Sequence, residues 1–288
     1  MLKAKLFRAG IAARRHASPG VVDAVGNLVG NICWALLPGH RRTVMGNLKR
    51  LAPGRTPAEY RRLARSTFRH FVRYTADFLW FASLTREQIL AMVEPRGFEQ
   101  LEAAARRGQG SMIVCGHLGS PDIAGLELAA LGFPCQTIAE SIHPELDDIT
   151  SRVRSATGLR VSPLASGARD GLRALRRKEV CAVVGDRAIG TPGIPVRFGD
   201  GRRPMPRGPA TMAIAANAAL FVVHSIYHPA KDGPRFLVEL HPEIPHDGMT
   251  ADDVPRLTQV IADHLSAIAR QYPDQWLVFQ PGWVDDAE

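Results

Sequence analysis

Residues 111–125 hold the pairing with the clearest chemical potential: a histidine and an aspartate five apart, His117 and Asp122. The apolar run Met112 to Cys115 predicts a buried strand. Gly116 and Gly119 permit a sharp turn, Ser120 suits an N-cap, Pro121 the first helical position, and Asp122 the first turn of a helix. On one continuous helix, residues five apart would stand roughly 140° apart around the axis. A helix that begins between them lets the turn fold His117 back over Asp122. The carboxylate then accepts from one ring nitrogen and leaves the other to take a proton. Amides near Gly119, at the helix N-terminus, offer a seat for an anion or oxyanion. The same spacing equally describes a helix-start acid beside an ordinary turn histidine.

These residues need a scaffold, and the middle of the chain predicts one. Strands are expected at 111–115, 135–139, 159–161, 180–184, 220–227 and 236–240. Helices are expected at 97–108, 121–131, 144–158, 168–178, 210–216 and 254–271. Residues 188–208, rich in Gly, Pro and Arg, read as a loop, and Trp276 to Phe279 as a final packed segment. Strands alternating with helices imply βαβ units, hence an α/β fold with a mostly parallel central sheet flanked by helices. Chemistry in such sheets sits at the carboxyl ends of strands. His117, Asp122, Asp186 and Arg187 all fall at such ends.

The N-terminal third is helical. Residues 1–19 are basic and amphipathic, and fit either an arm on an anionic surface or a solvated first helix. Residues 21–37 are apolar, but Asp23, Asn27 and Asn31 interrupt them at intervals of four and share one helix face. That pattern argues against a simple transmembrane span and for an interfacial or core helix. A second helix begins near His40, and Thr56 caps a longer one over 58–84. Its aromatics, among them Phe68, Phe71, Tyr74, Phe78, Trp80 and Phe81, fit a core or a lining for acyl chains. Thr85 caps a short helix to Met92. No linker or internal repeat divides the chain, so a single domain is expected: 1–95 helical, 96–288 α/β.

With 36 Lys and Arg against 28 Asp and Glu, the net charge of +8 favours anionic partners. A nucleic-acid module lacks support, because neither zinc-finger spacing nor basic-aromatic interleaving is present. Cys33, Cys115, Cys135 and Cys181 show no paired spacing, so neither zinc nor a disulfide framework is expected, and a reduced cytosolic setting is the default. Cys115, two residues before His117, would suit a Cys–His hydrolase, but its place in an apolar strand argues for burial.

Taken in order, several segments resemble one family. They are the helical start, Cys115–Gly116–His117–Leu118–Gly119–Ser120–Pro121–Asp122, Arg152–Val153–Arg154 and Gly185–Asp186–Arg187. Pro195 to Gly199, Pro206 to Ala210 and Tyr272 to Trp276 complete the set. Together they resemble the bacterial lipid A late acyltransferases of the lysophospholipid acyltransferase superfamily, to which phosphatidylinositol mannoside acyltransferases also belong. The resemblance implies acyl transfer from an acyl carrier protein or coenzyme A thioester to a hydroxyl of a membrane glycolipid. It places the enzyme at the cytoplasmic face of the inner membrane, peripheral or monotopic, with no metal and no further cofactor. It maps the catalytic pair onto His117 and Asp122, the downstream arginine onto Arg154 with Arg152 as rival, and the strand-end acid, expected to help bind substrate, onto Asp186. Chemically, His117 would take the hydroxyl proton while Asp122 steadies it, and Arg154, Arg187 and Arg207 would hold substrate phosphates. A non-catalytic lipid-binding relative is the remaining alternative.

Overall fold

The computed structural model describes residues 17–140, 150, 151, 153–155, 158–188, 192–228 and 233–284. The basic segment 1–16, Arg152 and most of the helix expected from Pro144 lie outside them. Three helices open the chain: α1 (Pro19–Leu36), α2 (Pro38–Leu51) and α3 (Pro57–Phe81). Ser18 caps α1, and Thr56 with Glu59 forms a reciprocal capping box at α3. A second such box, Thr85 with Gln88, starts α4 (Arg86–Met92). Then follow β1 (Val93–Arg96), α5 (Glu99–Arg106), β2 (Ser111–Cys115), α6 (Pro121–Ala130), β3 (Cys135–Ala139), β4 (Arg160–Pro163) and α7 (Leu164–Arg176). The remaining elements are β5 (Val180–Val184), β6 (Ile194–Phe198), β7 (Gly201–Met205), α8 (Gly208–Ala216), β8 (Ala219–Tyr227), β9 (Phe236–Leu240) and α9 (Val254–Gln271).

Seven strands form one sheet in the order β1-β9-β8-β2-β5-β3-β4. Every neighbouring pair is parallel except β8 with β9, as expected for a mostly parallel sheet. Period-two alternation splits β2 between two cores. Met112 and Val114 join α8 and α9 residues such as Met212, Leu257 and Ile261. Ile113 and Cys115 face Phe78, Phe81, Leu101, Ile123 and Leu126 from α3, α5 and α6. The sheet is thereby covered on both faces, as parallel sheets require.

Two expectations are corrected. Residues 188–208 are not all loop: β6 and β7 pair as an antiparallel hairpin, with Pro195 opposite Pro204. A two-stranded ribbon has no central strand, so it tolerates prolines that the middle of a larger sheet would not. The portion 1–95, expected to be helical, ends in a strand, β1; Pro95 and the two charges of β1 are tolerated because it forms the sheet's edge.

The polar stripe of α1 faces inward. Asn31 accepts from Arg65 and Arg69 Nε at 2.8 Å each, and Asp23 accepts from Arg73 Nε at 2.8 Å and from the Tyr227 hydroxyl at 2.7 Å. Arg235 bridges Asp23 to the buried Asp77. Gly30 is needed there, since a Cβ would lie 2.6 Å from the Arg69 backbone. The opposite, apolar face is open to solvent: Val25 is 51 % exposed, Leu28 62 % and Leu36 72 %. Among the described residues no single helix is long and apolar enough to cross a membrane.

Candidate active site

The strand register brings the site together. β2 pairs with β5 so that Cys115 stands opposite Val184. Two residues beyond each end, in the same offset, lie His117 and Asp186. His117 Nδ1 is 2.5 Å from Asp186 Oδ1. The His117 amide and the Trp276 indole N–H both donate to Asp186 Oδ2 at 3.0 Å. Gly116 makes room for this approach, since a Cβ there would sit 3.2 Å from that oxygen. An ionised carboxylate only accepts, so Nδ1 carries the hydrogen and Nε2 presents its lone pair. Nε2 has no partner among the described residues, and the imidazole remains partly exposed.

Asp186 is fully buried. Burial opposes its charge, but the imidazole of His117, the Arg203 guanidinium and the His117 amide overcome this and hold it well below the usual carboxylate range. It is therefore ionised whenever the fold is intact near neutral pH.

The expected pairing of His117 with Asp122 is corrected. Asp122 stands in the first turn of α6 and turns toward α3: Oδ2 accepts from the Tyr74 hydroxyl at 2.7 Å and Oδ1 from Arg154 Nε at 2.8 Å. The guanidinium of Arg154 also lies 5.6 Å from the Phe78 ring centre. Arg154 is thus tied to Asp122 and packed on an aromatic. Asp186, expected to hold substrate, holds the imidazole instead.

The amide of Gly119 is likewise not free for an oxyanion, because it donates to the Gln275 carbonyl at 2.8 Å. Gly119 serves the chain path: its φ is +59°, and a Cβ would meet the Ser225 carbonyl at 2.1 Å. The 275–277 segment is laced to the turn, with Leu277 donating to the His117 carbonyl at 2.7 Å. Ser120 occupies the N-cap position of α6 without a side-chain cap bond; its amide goes to the Ser225 carbonyl.

Arg187 pairs with Glu140 at 3.2 Å, bridging the ends of β5 and β3. Arg207 is exposed at the start of α8, with no ion pair among the described residues. Cys115 is buried, its thiol pushed up by burial and by the charges of Asp186 and Asp122, which removes it as a nucleophile. His224 bonds His241 within the fold at 2.8 Å. Trp276 and Arg203 are the site residues that sequence reasoning missed as such. Among the described residues no group of His, Cys, Asp and Glu is arranged to hold a metal ion.

The arrangement is an imidazole held on one nitrogen by a buried carboxylate, with its other nitrogen unpartnered among the described residues. Comparison with known proteins places the chain in a family. A profile described as bacterial lipid A biosynthesis acyltransferase matches residues 9–284. A phosphatidylinositol mannoside acyltransferase of Mycolicibacterium smegmatis is 28% identical over 260 residues, covering 88% of this chain and 83% of that protein. One of Mycobacterium tuberculosis is 29% identical over 195 residues, covering 66% and 60% respectively.

Proposed function

Because the chain belongs to the bacterial lipid A biosynthesis acyltransferase family and is an acyltransferase, we propose that His117 is its general base, acylating a hydroxyl of a membrane phosphoglycolipid from a thioester. The observation that carries this reading is the 2.5 Å contact between His117 Nδ1 and the buried Asp186, which leaves Nε2 open. A lipid hydroxyl is a weak nucleophile near neutral pH. As its oxygen attacks the thioester carbonyl carbon, Nε2 takes its proton. The tetrahedral intermediate collapses, the carbon–sulfur bond breaks, and the imidazolium returns the proton to the departing sulfur. Asp186 stabilises the imidazolium throughout, as a carboxylate behind a histidine does in acyl-transfer enzymes generally. Asp122 acts one step removed, by fixing Tyr74 and Arg154 beside the turn.

The acceptor we favour is a phosphatidylinositol mannoside, after the names of the two relatives; a lipid A precursor is the second reading, after the name of the family. The donor is the thioester of acyl carrier protein or coenzyme A. The enzyme works on the cytoplasmic face of the membrane, resting on it through α1. Support comes from that helix's inverted amphipathicity: polar groups toward α3, Val25, Leu28, Ile32 and Leu36 outward. Arg65 and Arg69, which donate to Asn31 between α1 and α3, are the cations we assign to lipid phosphates.

The test offers purified protein both thioesters and both acceptors, with lipid mass spectrometry as readout. A mannoside that gains one acyl chain supports the assignment. An acylated lipid A precursor with an untouched mannoside moves the acceptor to the second reading. If neither lipid is acylated from either donor, the proposal fails.

A further inference from the structure

Arg203 is the most unusual charge in the molecule. It lies in β7 and is only 2 % exposed. Its Nε and Nη1 are buried without a hydrogen-bond partner, and it forms no ion pair among the described residues. Its guanidinium is boxed by three rings, with centres at 4.9 Å for Trp276, 5.0 Å for Trp283 and 5.7 Å for Phe198. Phe198 stacks on Trp276, and Trp283 meets Trp276 edge-on. Ring faces attract a cation, but they recover only part of what its dehydration costs. An apolar side chain would fill such a box more cheaply, so the box is poorly explained as a stability device.

What the charge does have nearby is the catalytic acid. Trp276 turns its face to Arg203 and its N–H to Asp186 Oδ2, 3.0 Å away. The guanidinium is also among the charges that hold Asp186 ionised. We propose that Arg203 is a positioning residue for acyl transfer: it fixes Asp186 through Trp276 and sets a buried positive charge behind the carboxylate that holds His117. The inference rests on the reading of His117 as the base.

The effect of that charge on His117 follows from Coulomb's law. A second positive charge on the imidazole is disfavoured by one already buried behind its carboxylate. The other ionisable groups around the pair do not supply this effect. Arg187 is tied to Glu140. Asp122 is tied to Arg154. The Cys115 thiol is neutral through burial, and His224, pushed down to about 4 by burial, is uncharged near neutrality.

The test titrates His117 by NMR in histidine-labelled protein, its signal assigned by its loss in His117→Gln, and follows the pH–rate profile in parallel. In Arg203→Met the imidazole midpoint and the acid limb of the rate should both move up, by about 0.5–1 pH unit. Arg203→Lys keeps the charge and should leave both near their wild-type positions. Trp276→Phe keeps a ring against Arg203 but deletes the N–H to Asp186. It should raise the midpoint too, and it serves if Arg203→Met does not fold. A residue that merely fills space would lower the rate at every pH and leave the midpoint alone; an unmoved midpoint in Arg203→Met or Trp276→Phe overturns the proposal. Wild-type turnover in His117→Gln would instead overturn the general-base reading, while the midpoint shift would still report on Arg203.

Discussion

His117 and Asp186 are neighbours because the strands that carry them are in register. Ser111 stands opposite Val180, an offset of 69 residues, and the same offset carries from β2 and β5 into the two turns beyond them. The contact is therefore a continuation of the sheet. Asp122, only five residues from His117, belongs to a different cluster with Tyr74 and Arg154.

This separates the two acids experimentally. Asp186→Asn should lower kcat by roughly 10²–10⁴-fold, since an amide cannot stabilise the imidazolium and favours the wrong tautomer. Asp122→Ala leaves Arg154 without its carboxylate in a largely buried setting and should cost about 2–4 kcal/mol of stability. Thermal denaturation beside steady-state kinetics reads both. Equal damage to kcat with no loss of stability in Asp122→Ala would return that residue to the base.

Cys115 offers a simpler contrast. Cys115→Ala removes a buried thiol and should leave kcat within about threefold of wild type. Loss of turnover comparable to that of the histidine variants would reinstate a thiol nucleophile.

Glu127 makes stability depend on pH. It is 1 % exposed, its Oε2 has no partner among the described residues, and burial pushes its carboxyl up to about 8. An acid whose folded-state value is raised binds more protons folded than unfolded, so its penalty grows as pH rises from about 4.5 to about 8. Glu127→Gln should therefore stabilise the fold at pH 8 by about 2–4 kcal/mol and by little at pH 5. Melting curves at the two pH values decide it; a constant gain at both would assign the effect to something other than ionisation.

The outward face of α1 predicts lipid binding in two separable parts. Replacing Val25, Leu28 and Ile32 together by Ser should weaken partitioning onto vesicles at least about tenfold, in low and high salt alike. Replacing Arg65 and Arg69 by Gln should weaken it chiefly on anionic vesicles at low salt. Co-sedimentation that none of these changes would place the membrane contact elsewhere.

Much of this was legible in the sequence, and the illegible part has a physical reason. Periodicity and capping residues located β2, α6, β5 and α9 to within a few residues, and with them the strand ends where His117 and Asp186 lie. Which strand lies beside β2 is a non-local fact, so the spacing of His117 and Asp122 drew attention to the nearer acid. The hairpin β6–β7 escaped because its prolines and arginines read as loop, and with it went Arg203. Gly119 was rightly marked as a turn residue, but the carbonyl that claims its amide comes from Gln275, far along the chain.

The most direct test of the central claim is the single-turnover rate of acyl transfer by His117→Gln, with folding verified and saturating thioester and glycolipid acceptor. A group that cannot take the hydroxyl proton should slow this step by about 10²–10⁴-fold while thioester affinity stays close to wild type. A rate within tenfold of wild type would contradict the account.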